Sequence, residues 1–244
     1  MERHLEPIPK IIHLCWKTKD VLERKSIFLE NTVQKLVSLA DGWTPVISDD
    51  ADVDQYLKDN MSFIDYYRIK DRHIVEKVDL WRLYKLHNEG GLYSDIDRLC
   101  NTSINSVLNE ETKCVLPTCL NHDFSQDFMC SSPNNPIYFE AIQLNLSRRK
   151  EGHTNLYFLG PQTYMHAVTK SLLGQMIDVN PRVEEFDEIR SILNSSGFIQ
   201  TYIEHPVYET FLYRKENDQI DFDHELEKKK LYQENKIKHW TNVW

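Results

Sequence analysis

Between Val78 and Leu99 the chain reads V-D-L-W-R-L-Y-K-L-H-N-E-G-G-L-Y-S-D-I-D-R-L, and four of these residues carry most of its chemistry. Asp95 and Asp97 are separated by one residue. Side chains along a strand repeat with period two, so this spacing predicts two carboxylates on one side of the chain, an arrangement that suits a divalent cation. Upstream, Asp79 and Arg82 stand three apart in an apolar run, which on a helix places both on one face. Two readings stay open for them: an ion pair buried in the core, or a charged pair turned toward a polar ligand.

The elements that must position these residues are legible around them. Ile74, Val75, Val78, Leu80, Trp81, Leu83, Tyr84 and Leu86 cover so much of a helix that it must be largely buried, with Asp71 as its predicted cap. Gly90-Gly91 fits a helix end running directly into a strand. Tyr93, Asp95 and Asp97 then arrive at the carboxyl end of that strand, where ligands bind in open α/β sheets. Earlier, Lys10 to Trp16 is a β-branched run that reads as a buried first strand ending at Trp16. Phe28, Val33, Leu36, Val37 and Ala40 recur at helical spacing up to Asp41-Gly42. Trp43 to Ile47 reads as a second strand, and Pro45 favours an edge position for it. Short helices are predicted over Asp49 to Lys58 and Ser62 to Lys70, so the chain opens β-α-β-α, like a Rossmann-type half.

Downstream, Cys114 to Pro117 and Phe124 to Cys130 read as strands, and Pro136 stands near the start of a helix that runs through Leu146. Arg148-Arg149-Lys150 reads as a solvated helix end. Gly160-Pro161 breaks the chain before a helical pattern from Tyr164 to Met176, and short strands are predicted near Phe198 to Tyr202 and Val207 to Tyr213. Asn217 to Glu234 is highly charged and reads as an exposed segment or loose helix. The last residues, Lys238 to Trp244, regain two tryptophans and a histidine, which from their chemistry alone reads as a terminus packed onto the domain.

The 244 residues are 41% hydrophobic, enough for a real core, and a single domain is expected. With 29 Lys and Arg against 38 Asp and Glu, the formal charge of −9 argues against a nucleic-acid binder, which would show a basic patch. A nucleotide stays open, because a metal and an arginine can neutralise it locally. Five cysteines without a C-x-x-C pair point to neither a disulfide framework nor a zinc site. No signal-peptide core appears, and no apolar run approaches the ~18 residues of a membrane span, so a soluble, cytoplasmic chain is expected, in a bacterium or in the host cytosol if viral. No P-loop, G-x-G-x-x-G or G-x-S-x-G is present.

Four motifs follow one another along the chain: I-P-K-I-I-H-x-x-W at residues 8–16, D-x-x-R at 79–82, G-G-x-Y-x-D-x-D at 90–97, and H-x-x-x-x-W at 239–244. In this combination the sequence resembles the glycosyltransferases that carry the DXD sugar-binding region, the family 32 type. That group includes initiating α-1,6-mannosyltransferases, capsular polysaccharide transferases and, more distantly, clostridial glucosylating toxins. The resemblance implies one GT-A domain over residues 1–244, an α/β fold with a Rossmann-like nucleotide-binding part and a mixed central sheet. Residues 1–100 would form the nucleotide-binding half ending at the D-x-D, and residues 101–244 an acceptor half with a C-terminal closing tail. It further implies a divalent cation, Mn²⁺ or Mg²⁺, and retaining transfer of a hexose from a UDP- or GDP-sugar to a hydroxyl of a glycan, a lipid-linked saccharide or a protein.

At the matching positions the resemblance makes Asp97 the direct metal ligand, with Asp95 on the ribose or reaching the metal through water. It stacks Trp16 on the nucleobase and lines the pocket with Tyr93. Arg82 would face the diphosphate and sugar, and Asp79 the sugar hydroxyls. His239 and Asn242 would complete the metal shell, and Trp244 would close over the donor. The sequence departs from the pattern where Asn242 replaces the usual Ser and Lys238-His239 the usual His pair, which favours His239 as the ligand. Two rival functions share these residues. A D-x-D phosphatase expects the motif near the first strand with Thr or Val after it, and here Arg98 follows a pair near residue 95. A non-catalytic binder of sugar nucleotides would keep the same pocket without turnover.

Overall fold

A computed structural model describes residues 6–100, 103–110, 112–116, 124–174, 176, 212–213 and 223–236. The central sheet has the order β2-β1-β3-β6-β5. Its strands are β1 (Ile11–Cys15), β2 (Thr44–Ser48), β3 (Gly91–Ser94), β5 (Cys114–Val115) and β6 (Phe128–Ser131). β1 pairs in parallel with both β2 and β3, whereas β6 runs antiparallel to β3 and to β5. The sheet is therefore mixed, as the resemblance implies, and β2 with its Pro45 stands at the edge. A second small sheet joins β4 (Leu99–Cys100) to β7 (Leu212–Tyr213).

Period-two alternation sends neighbouring side chains of each strand into different cores. Ile12, Leu14, Leu92, Phe128 and Cys130 face one core, together with Phe28 and Leu29 of α1 (Ile27–Asn31) and Val33 and Leu36 of α2 (Val33–Leu39). Tyr93 and Met129 face the other. That second core is closed by α3 (Asp50–Asn60), α5 (Ile74–Asn88), α6 (Pro136–Lys150) and α8 (Pro161–Leu173), while α4 (Phe63–Ile69) and α7 (Leu156–Leu159) are short connecting helices. No described helix is long and apolar enough to cross a membrane.

Local chemistry explains most boundaries and corrects several expected ones. Asp49 begins α3 with a capping box: its carboxylate accepts from the Ala51 and Asp52 amides, and the Asp52 carboxylate accepts from the Asp49 amide. The helix expected over residues 28–40 is two helices that meet at Thr32, whose hydroxyl donates to the Phe28 carbonyl at 2.8 Å and whose backbone leaves the helical region. α5 is capped by His73, not Asp71: the Val75 amide donates to His73 Nδ1 at 3.3 Å, while Asp71 turns outward to Lys70. Gly90 and Gly91 take φ of +67° and +99°, which lets the chain leave α5 and enter β3 without a spacer.

The end of α6 is not solvated. Arg149 Nη1 pairs with buried Glu76 at 2.6 Å, and Arg148 Nη1 donates to the Phe158 carbonyl at 2.8 Å and to Thr163 Oγ1 at 2.7 Å. α7 and α8 fold back over these arginines and exclude water, which residue type alone did not indicate. The charged stretch, read as an exposed segment or loose helix, contains a helix, α9 (His224–Glu234), begun by Asp223 as its cap. Its Leu231 is buried with Trp16 and Val21, so this helix is docked on the domain through one narrow apolar face.

Candidate active site

The polar site lies past the carboxyl end of β3, where α5, the 125–127 loop, the start of α8 and α9 meet. Asp79 and Arg82 are on one buried face of α5 and form a direct ion pair through Arg82 Nη2 and Asp79 Oδ1. Arg82 Nη1 donates to the Gln126 carbonyl at 3.0 Å and lies 3.7 Å from Asp95 Oδ1. Its guanidinium also sits over the Tyr93 ring, 5.3 Å from the centroid. Tyr93 lies edge-on against Trp81 at 6.1 Å and donates its hydroxyl to Asp95 Oδ1. Asp79, Arg82, Tyr93 and Asp95 thus form one continuous polar network. The Arg82 Nε–H is buried and has no hydrogen-bond partner among the described residues.

β3 ends at Ser94, so both aspartates of the D-x-D stand just beyond the strand, with Ile96 and Asp97 in a turn. The expected strand geometry is corrected accordingly. The Asp95 amide donates to the Asp127 carbonyl at 2.8 Å, and its carboxylate points toward Arg82. Asp97 instead pairs with Lys228 of α9, and its other oxygen lies 3.6 Å from Arg98 Nε. Arg98 continues the chain of charges to Asp127 at 2.6 Å. Desolvation raises the Asp95 carboxyl to about 6 against the pull of Arg82, with repulsion from Asp97 and Asp127 adding to the rise. Two oxygen donors of like charge are held close enough to feel each other.

On the other face of the sheet, Trp16 follows β1 and is buried against Tyr232 of α9, with ring centroids 5.8 Å apart and planes at 47°. The Trp16 Nε1–H has no hydrogen-bond partner among the described residues. Lys228 and Tyr232 are one helical turn apart, so α9 presents a cation to Asp97 and a ring to Trp16 from one face. Five contributors were not singled out by sequence reasoning: Gln126, Asp127, Gly160, Lys228 and Tyr232. Gly160 reads in the sequence as part of a turn before a helix, and its backbone lies directly against Asp79. No local pattern marks the other four, whose positions depend on strand register and on helix docking.

This network sits inside the stretch that a family model recognises. Residues 19–113 match the model of a glycosyltransferase sugar-binding region containing the DXD motif. Among curated proteins, the chain is similar to inositol phosphoceramide mannosyltransferase 1 of Schizosaccharomyces pombe, 27% identical over 144 residues that cover 59% of this chain and 44% of that protein. It is also 28% identical over 137 residues to a mannosyl phosphorylinositol ceramide synthase of Saccharomyces cerevisiae, covering 56% of this chain and 35% of that protein. The chain thus spans less than half the length of these relatives. Among solved structures, the PaToxG glycosyltransferase superposes with a TM-score of 0.53 at 15% identity, over 94% of this chain and 87% of that one, and so shares its fold.

The DXD region offers carboxylate oxygens of the kind that Mg²⁺ and Mn²⁺ prefer. The ammonium of Lys228 on Asp97 marks this as a place where positive charge is accommodated. Among the described residues, no group of three or more His, Cys, Asp or Glu could by itself hold a metal ion. On their own the two carboxylates would supply only part of a metal shell. His239 and Asn242, which the resemblance assigns to its remainder, lie outside the described residues, as does Trp244.

Proposed function

We propose that this chain is a glycosyltransferase that moves a hexose from a nucleoside-diphosphate sugar to an acceptor hydroxyl, with retention of configuration and with Mn²⁺ or Mg²⁺ as cofactor. The observation that carries this reading is the unbroken network Asp79–Arg82–Asp95–Tyr93 past the end of β3, inside the DXD sugar-binding region. A buried donor without a partner costs roughly 1–3 kcal/mol. Among the described residues, the buried Nε–H of Arg82 is such a donor within the network, and a bound donor sugar would supply an acceptor for it.

Asp97 and Asp95 would hold the cation, and the resemblance adds His239 as a further ligand. When bound, the cation stabilises the negative charge that grows on the departing diphosphate. Arg82, kept rigid by Asp79, the Gln126 carbonyl and the Tyr93 ring, would orient the diphosphate and sugar and need no reorganisation as charge develops. Asp79 would accept from sugar hydroxyls, and Trp16 would offer its face to the base. A front-face transfer, in which the leaving phosphate takes the acceptor proton, would need no covalent nucleophile from the protein.

The relatives' names refer to mannosyl transfer, so a mannose donor heads the panel of UDP- and GDP-hexoses to be tried. Hydrolysis and transfer are measured with Mn²⁺ present for the wild-type chain and for Asp97→Ala. Loss of turnover in the variant with an unchanged far-UV spectrum is expected. Undiminished turnover would sink the assignment.

A further inference from the structure

Three consecutive lysines, 228 to 230, lie on α9, and only the first is turned inward. Lys230 reaches sideways to Glu227, and Lys229 is exposed. Lys228 is instead largely buried: its ammonium bonds Asp97 Oδ2 and lies 5.6 Å from the centroid of the Tyr232 ring. The helix that delivers it is anchored independently of that charge. Leu231 is buried, Lys17 Nζ donates to the Asn235 carbonyl at 2.8 Å, and Arg24 Nη1 donates to Asn235 Oδ1. Lys228 thus brings a flexible cation on a four-carbon stem to the second carboxylate of the D-x-D, from a helix whose position does not depend on it.

We propose that Lys228 is a donor-binding residue that works by exchange. It neutralises Asp97 while the site lacks a divalent cation, gives up that carboxylate when the cation binds, and turns its ammonium to the diphosphate of the donor. This rests on the donor-site reading above. A lysine suits the role better than an arginine because its compact charge can swing between two oxygen partners without the fixed fork of a guanidinium. The exchange also offsets the repulsion that Asp97 exerts on Asp95.

The test is Mn²⁺ binding to the whole chain without nucleotide, read by electron paramagnetic resonance, for the wild type, Lys228→Met and Lys228→Arg. Lys228→Met removes the competing charge and keeps most of the stem's apolar contact, and is expected to bind Mn²⁺ about tenfold more tightly, as losing a partly buried competing ion pair implies. Lys228→Arg is expected to stay within about twofold of the wild type, since it keeps the competing charge. At saturating Mn²⁺, Lys228→Met should bind UDP or GDP about tenfold more weakly, the cost of one charge-assisted contact. Equal Mn²⁺ affinity in wild type and Lys228→Met overturns the exchange but leaves Asp97 as a ligand. Absence of Mn²⁺ binding in both overturns the exchange and the metal part of the donor reading together. Unchanged nucleotide affinity in Lys228→Met overturns its diphosphate role.

Discussion

A methyl group added to Gly160 would stand 2.7 Å from Asp79 Oδ2 and 2.9 Å from Gln126 Nε2. The turn before α8 is thereby pressed against the acidic partner of Arg82, at the place where a sugar hydroxyl would be recognised. Gly160→Ala is expected to push Asp79 off Arg82. The fold should survive, since overpacking of this kind costs about 1–3 kcal/mol. Transfer should fall about a hundredfold, the scale associated with a misplacement of about 1 Å in a catalytic group. Turnover at saturating donor, beside a thermal melt, reads both effects.

Asp79 and Arg82 are nearly buried and neutralise each other. Arg82→Met leaves a carboxylate inside the protein without its counter-charge and is expected to cost about 3–5 kcal/mol in urea unfolding. Asp79→Asn with Arg82→Met should recover part of that loss, because the Asp79 charge is no longer left unpaired while Asp95 still lacks its neighbouring cation. Both variants should be inactive in transfer. Stabilities that simply add, with no coupling between the two positions, would contradict the ion pair as the reason for the loss.

His13 ties β1 to the turn that starts β3: its Nε2–H donates to the Gly90 carbonyl at 2.8 Å, and Nδ1 has no partner among the described residues. Desolvation lowers its pKa below 6.5, outweighing the pull of the Gly90 carbonyl. The unfolded chain therefore binds a proton near pH 6.5 that the folded chain does not take up. The stability this contributes is complete above that pH and is lost as pH falls toward the depressed folded value. Urea unfolding from about pH 5 to 8 should show His13→Gln losing part of the wild-type acid slope. Asp95, raised to about 6, contributes a slope of opposite sign and is common to both proteins, so the difference between them isolates His13.

Residues 239–244 include His239, Asn242 and Trp244, to which the resemblance gives the rest of the metal shell and the closing ring. Removing these six residues is expected to abolish transfer and to weaken Mn²⁺ binding. Cooperative unfolding should be retained, since the described core residues extend no further than Tyr232. A truncated chain with full turnover would remove the tail from the site.

The part of the site legible in the sequence is the part built by one helix, one turn and one strand. Asp79 and Arg82 share a face because they are three apart. Gly90 and Gly91 carry the chain straight into β3, and Tyr93 and Asp95 share a side because they are two apart. Each of these relations spans a few residues, where backbone geometry leaves few alternatives. The first strand, which ends at Cys15 one residue before Trp16, and the edge position of β2 are legible for the same reason, as a compact apolar run and a proline.

The rest was decided by tertiary structure. Asp127 meets the Asp95 amide because the β3–β6 register pairs Ser94 with Phe128, and Gly160 meets Asp79 because α8 packs against α6. Lys228 reaches Asp97 across 131 positions because Leu231, one turn away, finds an apolar seat beside Trp16. None of these contacts has a local signature. They follow from which apolar faces are buried together, and a charged helix such as α9 conceals its one buried face among many exposed charges. The sequence by itself placed Asp79 and Arg82 on one helix face and Tyr93 beside Asp95, but not the direction in which Asp97 points. Only the folded chain decided which distant charges and backbones surround them, because those positions are set by the joint burial of faces far apart in sequence.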